Sequence, residues 1–130
     1  MILVDTSAWI EYLRDTGSVL SVALNELPEE EIATCDAVRM ELLAGVRDEA
    51  ELSRVYALLS HANVISTLPT DYDDAAEMYR QCRRQGHTVR KLIDCLIAAV
   101  AIRVDVPVLH MDRDYDILAR HTPMQSFHLT

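Results

Sequence analysis

The stretch 92–102 is apolar on every side of a helix except at one position, the carboxylate Asp94 near its start. A helix that is hydrophobic all round belongs in the middle of a domain. Lys91 and Arg103 bound the stretch too closely for it to span a membrane. Chain must therefore cover it on several sides. Within it Asp94 is an anomaly, because an ionised carboxylate away from water is costly unless it meets a cation. Arg90 or Lys91 could be that partner, and the first turn of a helix favours an acid in any case.

Two further acids stand at the ends of apolar runs. Met1, Ile2, Leu3 and Val4 read as a strand buried on both faces of a parallel sheet, which places Asp5 at its carboxyl end. In open α/β sheets ligands bind in the crevice outside those ends. A simpler duty for Asp5, Thr6 and Ser7 is to cap the helix that begins near Ala8 and carries Trp9, Ile10, Tyr12 and Leu13. Pro107, Val108, Leu109, His110 and Met111 repeat the arrangement and stop at Asp112. Beyond it, Asp114 and Asp116 read as solvated or capping groups at the start of the next helix. A fourth acid, Glu41, lies on a helix that Asp36 can cap and Gly45 can stop. With Val38 and Leu42 turned to the core, Glu41 falls close to the buried face, although an exposed position is the commoner fate of a helical glutamate.

Strand and helix alternate along the remainder. After the first strand come helices at 7–14 and 18–26, the strand Ile32–Cys35, the Glu41 helix and a helix over 49–62. Residues 63–66 form a third strand. Thr70 and Asp73 begin a helix that runs to Arg84 and ends before Gly86. The Asp94 helix, the strand before Asp112, a helix near 115–120 and a short last strand at 126–129 complete the pattern. Such alternation implies an α/β fold, a parallel sheet with helices on both faces. At 130 residues and 50% hydrophobic, the chain supports one domain, residues 1–130. Cys35, Cys82 and Cys95 are far apart and odd in number, and Met1 leads into a strand with no basic leader, which suits a cytoplasmic protein.

If the fold gathers Asp5, Glu41, Asp94 and Asp112, their mutual repulsion calls for a divalent cation and makes the chain a candidate metal-dependent phosphodiesterase. Mg²⁺ suits a small all-oxygen set with open positions, with Mn²⁺ as a substitute. Asp5 and Asp94 are the leading ligands, and Glu41 and Asp112 complete the site directly, through water or with a second ion. Arg80, Arg83, Arg84, Arg90 and Lys91, close together in sequence, could flank it with phosphate-binding charge, or form a solvated face.

Four segments then carry a resemblance: Val4 to Ile10, Met40 to Gly45, Asp94 to Ala99, and Leu109 to Tyr115. Together, in order and across the whole chain, they resemble a PIN domain, and more narrowly a VapC-type toxin of bacterial type II toxin-antitoxin pairs. One element departs from the pattern: Met111 stands where a threonine is usual, at the cost of a hydroxyl contact beside Asp112. The resemblance implies a three-layer α/β/α sandwich with a mainly parallel sheet of about five strands. It also implies an Mg²⁺-dependent endoribonuclease that hydrolyses RNA phosphodiesters with a metal-activated water and leaves a 5′-phosphate. The partner it implies is an antitoxin with a basic tail lying across the active-site groove. Trp9, Tyr12 and Leu20 on the early helices could receive it, although core packing is the commoner role for such residues. A homodimer is the expected assembly.

The formal charge of −9 is unusual for a protein that handles RNA, but it suits a basic partner segment. A phosphoacceptor receiver domain would also collect acids at strand ends and is the alternative reading. Such a domain needs a lysine at a late strand end, whereas the only lysine, Lys91, precedes a helix. A haloacid-dehalogenase-like phosphatase would need an acid where Ser7 stands. No nucleophile elbow or paired-histidine helix is present.

Overall fold

The computed structural model describes residues 1–129. Four parallel strands, β1 (Ile2–Val4), β2 (Ile32–Cys35), β3 (Asn63–Ile65) and β4 (Val108–Leu109), form one sheet in the order β3-β2-β1-β4. Its most apolar strand is also its most enclosed. In β1, Leu3 lies between Ala33 and Val108 and Val4 faces Leu109, and all three β1 residues are buried. Edge strand β3 leaves Asn63 and Val64 exposed.

Among the described residues seven α-helices complete an α/β/α sandwich: α1 (Thr6–Leu13), α2 (Val19–Glu26), α3 (Asp36–Ala44), α4 (Glu49–Leu59), α5 (Pro69–Arg84), α6 (Leu92–Val104) and α7 (Arg113–His121). Helix α6 is the buried element that its composition demands. Cys95, Ile97, Ala98, Ala99, Val100 and Ala101 are all inside, and α5, α7 and α3 pack on it. No helix among the described residues is long and apolar enough to cross a membrane.

Three sequence expectations need correction. The sheet has four strands instead of about five, because the segment expected at 126–129 contributes only an isolated parallel bridge between Val108 and Ser126. The cause is the period of the strand. Val108 turns its N–H and C=O to Gln125 and Phe127, whereas Pro107 and Leu109 turn their carbonyls to β1, so a strand of this length offers one outward residue. Asp36 lies inside α3 instead of capping it, and its carboxylate accepts the Thr67 amide. Helix α5 begins at Pro69 rather than at Thr70, with Asp71, not Asp73, closing the first turn on the Leu68 amide.

That last aspartate does more than cap. Asp71 is fully buried and takes Nε of Arg103 at 2.9 Å and Nη2 at 3.1 Å, while Arg103 also donates to the Ser66 carbonyl. The pair ties the start of α5 to the end of α6.

The strand order sets where a ligand can bind. From β1 the chain moves outward through β2 to β3, then returns to place β4 on the other side of β1. The direction of winding reverses between β1 and β4, and the crevice at their carboxyl ends is the natural site. Asp5 follows β1 directly and Asp112 closely follows β4.

Replacing Arg103 with methionine leaves a buried carboxylate without its cation, and we expect a loss of about 3–5 kcal/mol in urea unfolding at pH 7. Burial pushes Asp71 up, but Arg103 and the Leu68 amide outweigh it and hold its pKa below the ordinary value. The stabilisation is therefore complete above about pH 4 and is lost as the pH falls through the depressed folded value. The gap between wild type and variant should narrow as the pH falls, beginning where the unpaired Asp71 of the variant takes up a proton; a gap that is constant with pH contradicts this role for the pair.

Candidate active site

The four acids singled out from the sequence lie around the crevice, each delivered by a different element. Asp5 is the N-cap of α1: its Oδ2 accepts the Ser7 amide at 3.3 Å and the Ser7 hydroxyl at 2.7 Å. Its Oδ1 accepts the Tyr115 hydroxyl at 2.8 Å. Capping and site placement are thus one arrangement, because the strand end that enters the crevice is also the start of the helix. Glu41, half-buried on α3, accepts the hydroxyl of the neighbouring Thr6 at 2.6 Å.

Asp94, in the first turn of α6, is 1% exposed, and its Oδ2 is buried with no hydrogen-bond partner among the described residues. Asp112 is the N-cap of α7 and accepts the Asp114 amide at 2.8 Å. Ligand oxygens of Asp94, Asp112 and Asp114 all lie within 4.8 Å of one another. The charges of Asp5, Asp94 and Glu41 all reach the Tyr115 hydroxyl, which burial first and these carboxylates next push well above its usual pKa.

Asp114 is a member of this group that its sequence position disguised. Expected as a solvated or capping residue, it is 1% exposed, and its two oxygens accept the backbone amides of Arg90 and Lys91 at 3.1 Å each. Asp116 is exposed, as the sequence implied. The basic cluster divides. Arg80 and Arg84 pair with Glu77 on the outside of α5, and Arg83 lies over the Tyr79 ring. Arg90 and Lys91 alone of that cluster reach the carboxylates: Arg90 lies 3.7 Å from Asp112, and Lys91 Nζ lies 3.2 Å from Asp112 and 3.6 Å from Asp94.

His110 supports the rim. The Asp112 amide donates to its Nδ1 at 3.2 Å, so the proton sits on Nε2, which donates to the Ser126 hydroxyl at 2.7 Å. Burial lowers its pKa against the pull of Asp116, Asp5 and Asp112 and keeps the ring neutral. It packs against Tyr115, ring centroids 4.8 Å apart.

Crowded acids divide their protons unequally. Burial above all raises Asp94 to about 7; Lys91 opposes the rise, while Asp5, Asp112 and Asp114 add to it. For Asp112 burial also acts upward, but the Asp114 amide and Lys91 win and lower it. Lys91 is raised, its burial outweighed by Asp94 and Asp112. An all-oxygen donor set with one buried carboxylate oxygen that lacks a hydrogen-bond donor fits a hard divalent cation. Asp94, Asp112 and Asp114 could hold it, with Asp5 and Glu41 beside them.

Fold and site together define an open α/β domain with an acidic, oxygen-only pocket at its switch point. The PIN domain family matches residues 2–121, and the chain belongs to that family. Within it the chain is similar to VapC proteins. It is 45% identical to ribonuclease VapC11 of Mycobacterium tuberculosis over 97% of each chain, and 41% identical to ribonuclease VapC19 of the same organism over 95% of this chain and 94% of the other. The DNA-bound VapBC structure from Salmonella typhimurium shares the fold, with a TM-score of 0.76 at 18% identity, over 97% of this chain and 96% of that one.

Two outcomes follow from the geometry. Tyr115→Phe removes a buried hydrogen bond to a carboxylate and should cost about 1.5–3 kcal/mol in urea unfolding. An unchanged midpoint would mean that the Tyr115–Asp5 contact carries no energy. For Asp94 the folded pKa lies above the unfolded one, so the metal-free protein loses stability as the pH rises from about 4 to about 7. In EDTA, Asp94→Asn should abolish that slope and be more stable at pH 8 by up to roughly 4 kcal/mol. A variant less stable than wild type at pH 8 would contradict the repulsion inferred here.

Proposed function

We propose that this protein is an Mg²⁺-dependent endoribonuclease, the toxin of a type II toxin-antitoxin pair. The observation that carries the reading is the group of Asp94, Asp112 and Asp114 at one crevice beside Asp5 and Glu41, with Asp94 Oδ2 buried and without a hydrogen-bond donor among the described residues. The names of the relatives supply the class of substrate, since VapC11 and VapC19 are called ribonucleases. Asp5 and Asp94 are the leading ligands, and Glu41 and Asp112 complete the set. A divalent ion bound there would make a water acidic enough to attack phosphorus and would stabilise the leaving oxygen.

The chain's own groups account for the rest. Tyr115 and Ser7 fix the Asp5 carboxylate, and Thr6 orients Glu41. Asp114 fixes the backbone of Arg90 and Lys91, whose cationic side chains stand at the rim where an RNA phosphate must approach. A receiver domain is the weaker reading, because no lysine follows β4 and Lys91 caps a helix.

The antitoxin reading is supported by solved neighbours that are toxin-antitoxin complexes and by a cleft of ≈ 310 Å³ between α1, α2 and α4. Trp9, Tyr12, Leu24, Leu27 and Leu58 line it, and the Trp9 indole N–H is buried with no acceptor among the described residues. Leu20 is buried in the core and does not line the cleft, so the early-helix surface is narrower than the sequence suggested. An apolar antitoxin segment would fill the cleft, and its basic tail would reach the acidic crevice. We further propose that the toxin is a cytoplasmic homodimer.

Purified protein should cleave RNA with Mg²⁺ or Mn²⁺ and stop in EDTA. Asp5→Ala and Asp94→Ala should each lose activity by more than about 100-fold, beyond the 10–100-fold typical of outer-sphere partners, with circular dichroism unchanged. Cleavage that survives EDTA or both substitutions would overturn the proposal. The product of a neighbouring small basic reading frame should suppress cleavage at equimolar ratio, and a neighbouring histidine kinase would favour the receiver instead.

A further inference from the structure

Lys91 is the only lysine of the chain, and its ammonium sits between two proposed ligands, 3.2 Å from Asp112 Oδ2 and 3.6 Å from Asp94 Oδ2. Its root and its tip behave differently. The backbone amide is held by Asp114 Oδ2 at 3.1 Å, and the residue is the N-cap of α6, so the main chain cannot move without disturbing the site. The side chain, by contrast, is 50% exposed and makes no other ion pair among the described residues. Arg90, next to it, reaches Asp112 and Asp114 but not Asp94.

An ammonium and a divalent cation cannot both occupy the space between the same two oxygens. Each satisfies the carboxylates, and in a half-buried site their charges repel strongly. Resting on the reading that a divalent cation binds here, we propose that Lys91 is an internal counter-ion that bridges Asp94 and Asp112 without metal and is expelled when metal binds. The acidic centre is thereby kept folded and soluble when empty. Expulsion turns a charge that was spent on the carboxylates outward, beside Arg90, toward the approaching RNA phosphate. Metal affinity is accordingly set by competition: a lysine that fills the site about nine-tenths of the time raises the apparent Kd about tenfold.

Because the lysine is unique, one isotope label reports on it. Protein carrying ¹³Cε-lysine should show a single Lys91 signal that moves toward the free-lysine position as Mg²⁺ is added. The midpoint should match the metal Kd measured independently. In parallel, Mn²⁺ binding followed by electron paramagnetic resonance should tighten about tenfold in Lys91→Met and change less than about threefold in Arg90→Met, which removes an equal charge from outside the bridging position. A Lys91 signal that stays fixed while Mn²⁺ binds overturns the proposal and leaves the metal site standing. Equal effects of the two substitutions, or weaker binding in Lys91→Met, also overturn it. Wild-type protein that binds no Mn²⁺ removes both the metal reading and this one. If Lys91→Met fails to fold, the wild-type label decides alone.

Discussion

The Asp114 carboxylate holds the candidate site together. Its two oxygens accept the amides of Arg90 and Lys91, so the segment entering α6 is clamped to the first turn of α7. Asp94 and Asp112 belong to those two helices and cannot separate while the clamp holds. A buried carboxylate that receives backbone N–H groups is stabilised by bonds that water would otherwise supply, so Asp114 can be buried beside other acids. Tyr115, the next residue, extends the same device across the crevice to Asp5.

Around that clamp the protein handles acid crowding by giving each carboxylate a different environment. Asp5 and Asp114 spend their oxygens on donors, and Asp112 meets both a backbone amide and Lys91. Asp94 is left with a buried oxygen and no hydrogen-bond donor, the one incomplete place in the site. An unsatisfied polar atom at the centre of an otherwise well-partnered cluster is what a hard cation would complete. Rigid support lies just behind it: the neutral His110 braces both Asp112 and Tyr115, and the Arg103–Asp71 pair secures the far end of α6.

Much of this was legible in the linear chain. The apolar run into Asp5 and the all-apolar helix carrying Asp94 announce a buried strand and a buried helix, because burial leaves a compositional mark on every residue of an element. The acids within those elements stand out against that mark. Asp114 did not, since an acid in the first turn of a helix has an ordinary explanation, and its true partners are backbone amides that carry no sequence signature. Tyr115 meets a carboxylate 110 positions away. The arginines of α5 misled in the opposite sense: they are near Asp94 in sequence, but the helix turns them to Glu77 and Tyr79.

Composition and periodicity determined by themselves that this chain is an α/β domain and that Asp5, Asp94 and Asp112 are out of the ordinary. Both are local properties, written in the residues an element contains. Only the tertiary structure decided that these acids share one crevice, that Asp114 and Tyr115 hold them there, and that the last segment adds a bridge instead of a strand. Those outcomes depend on the return of the chain to place β4 beside β1 and on backbone groups meeting across that join, and neither has a counterpart in the order of side chains along the sequence.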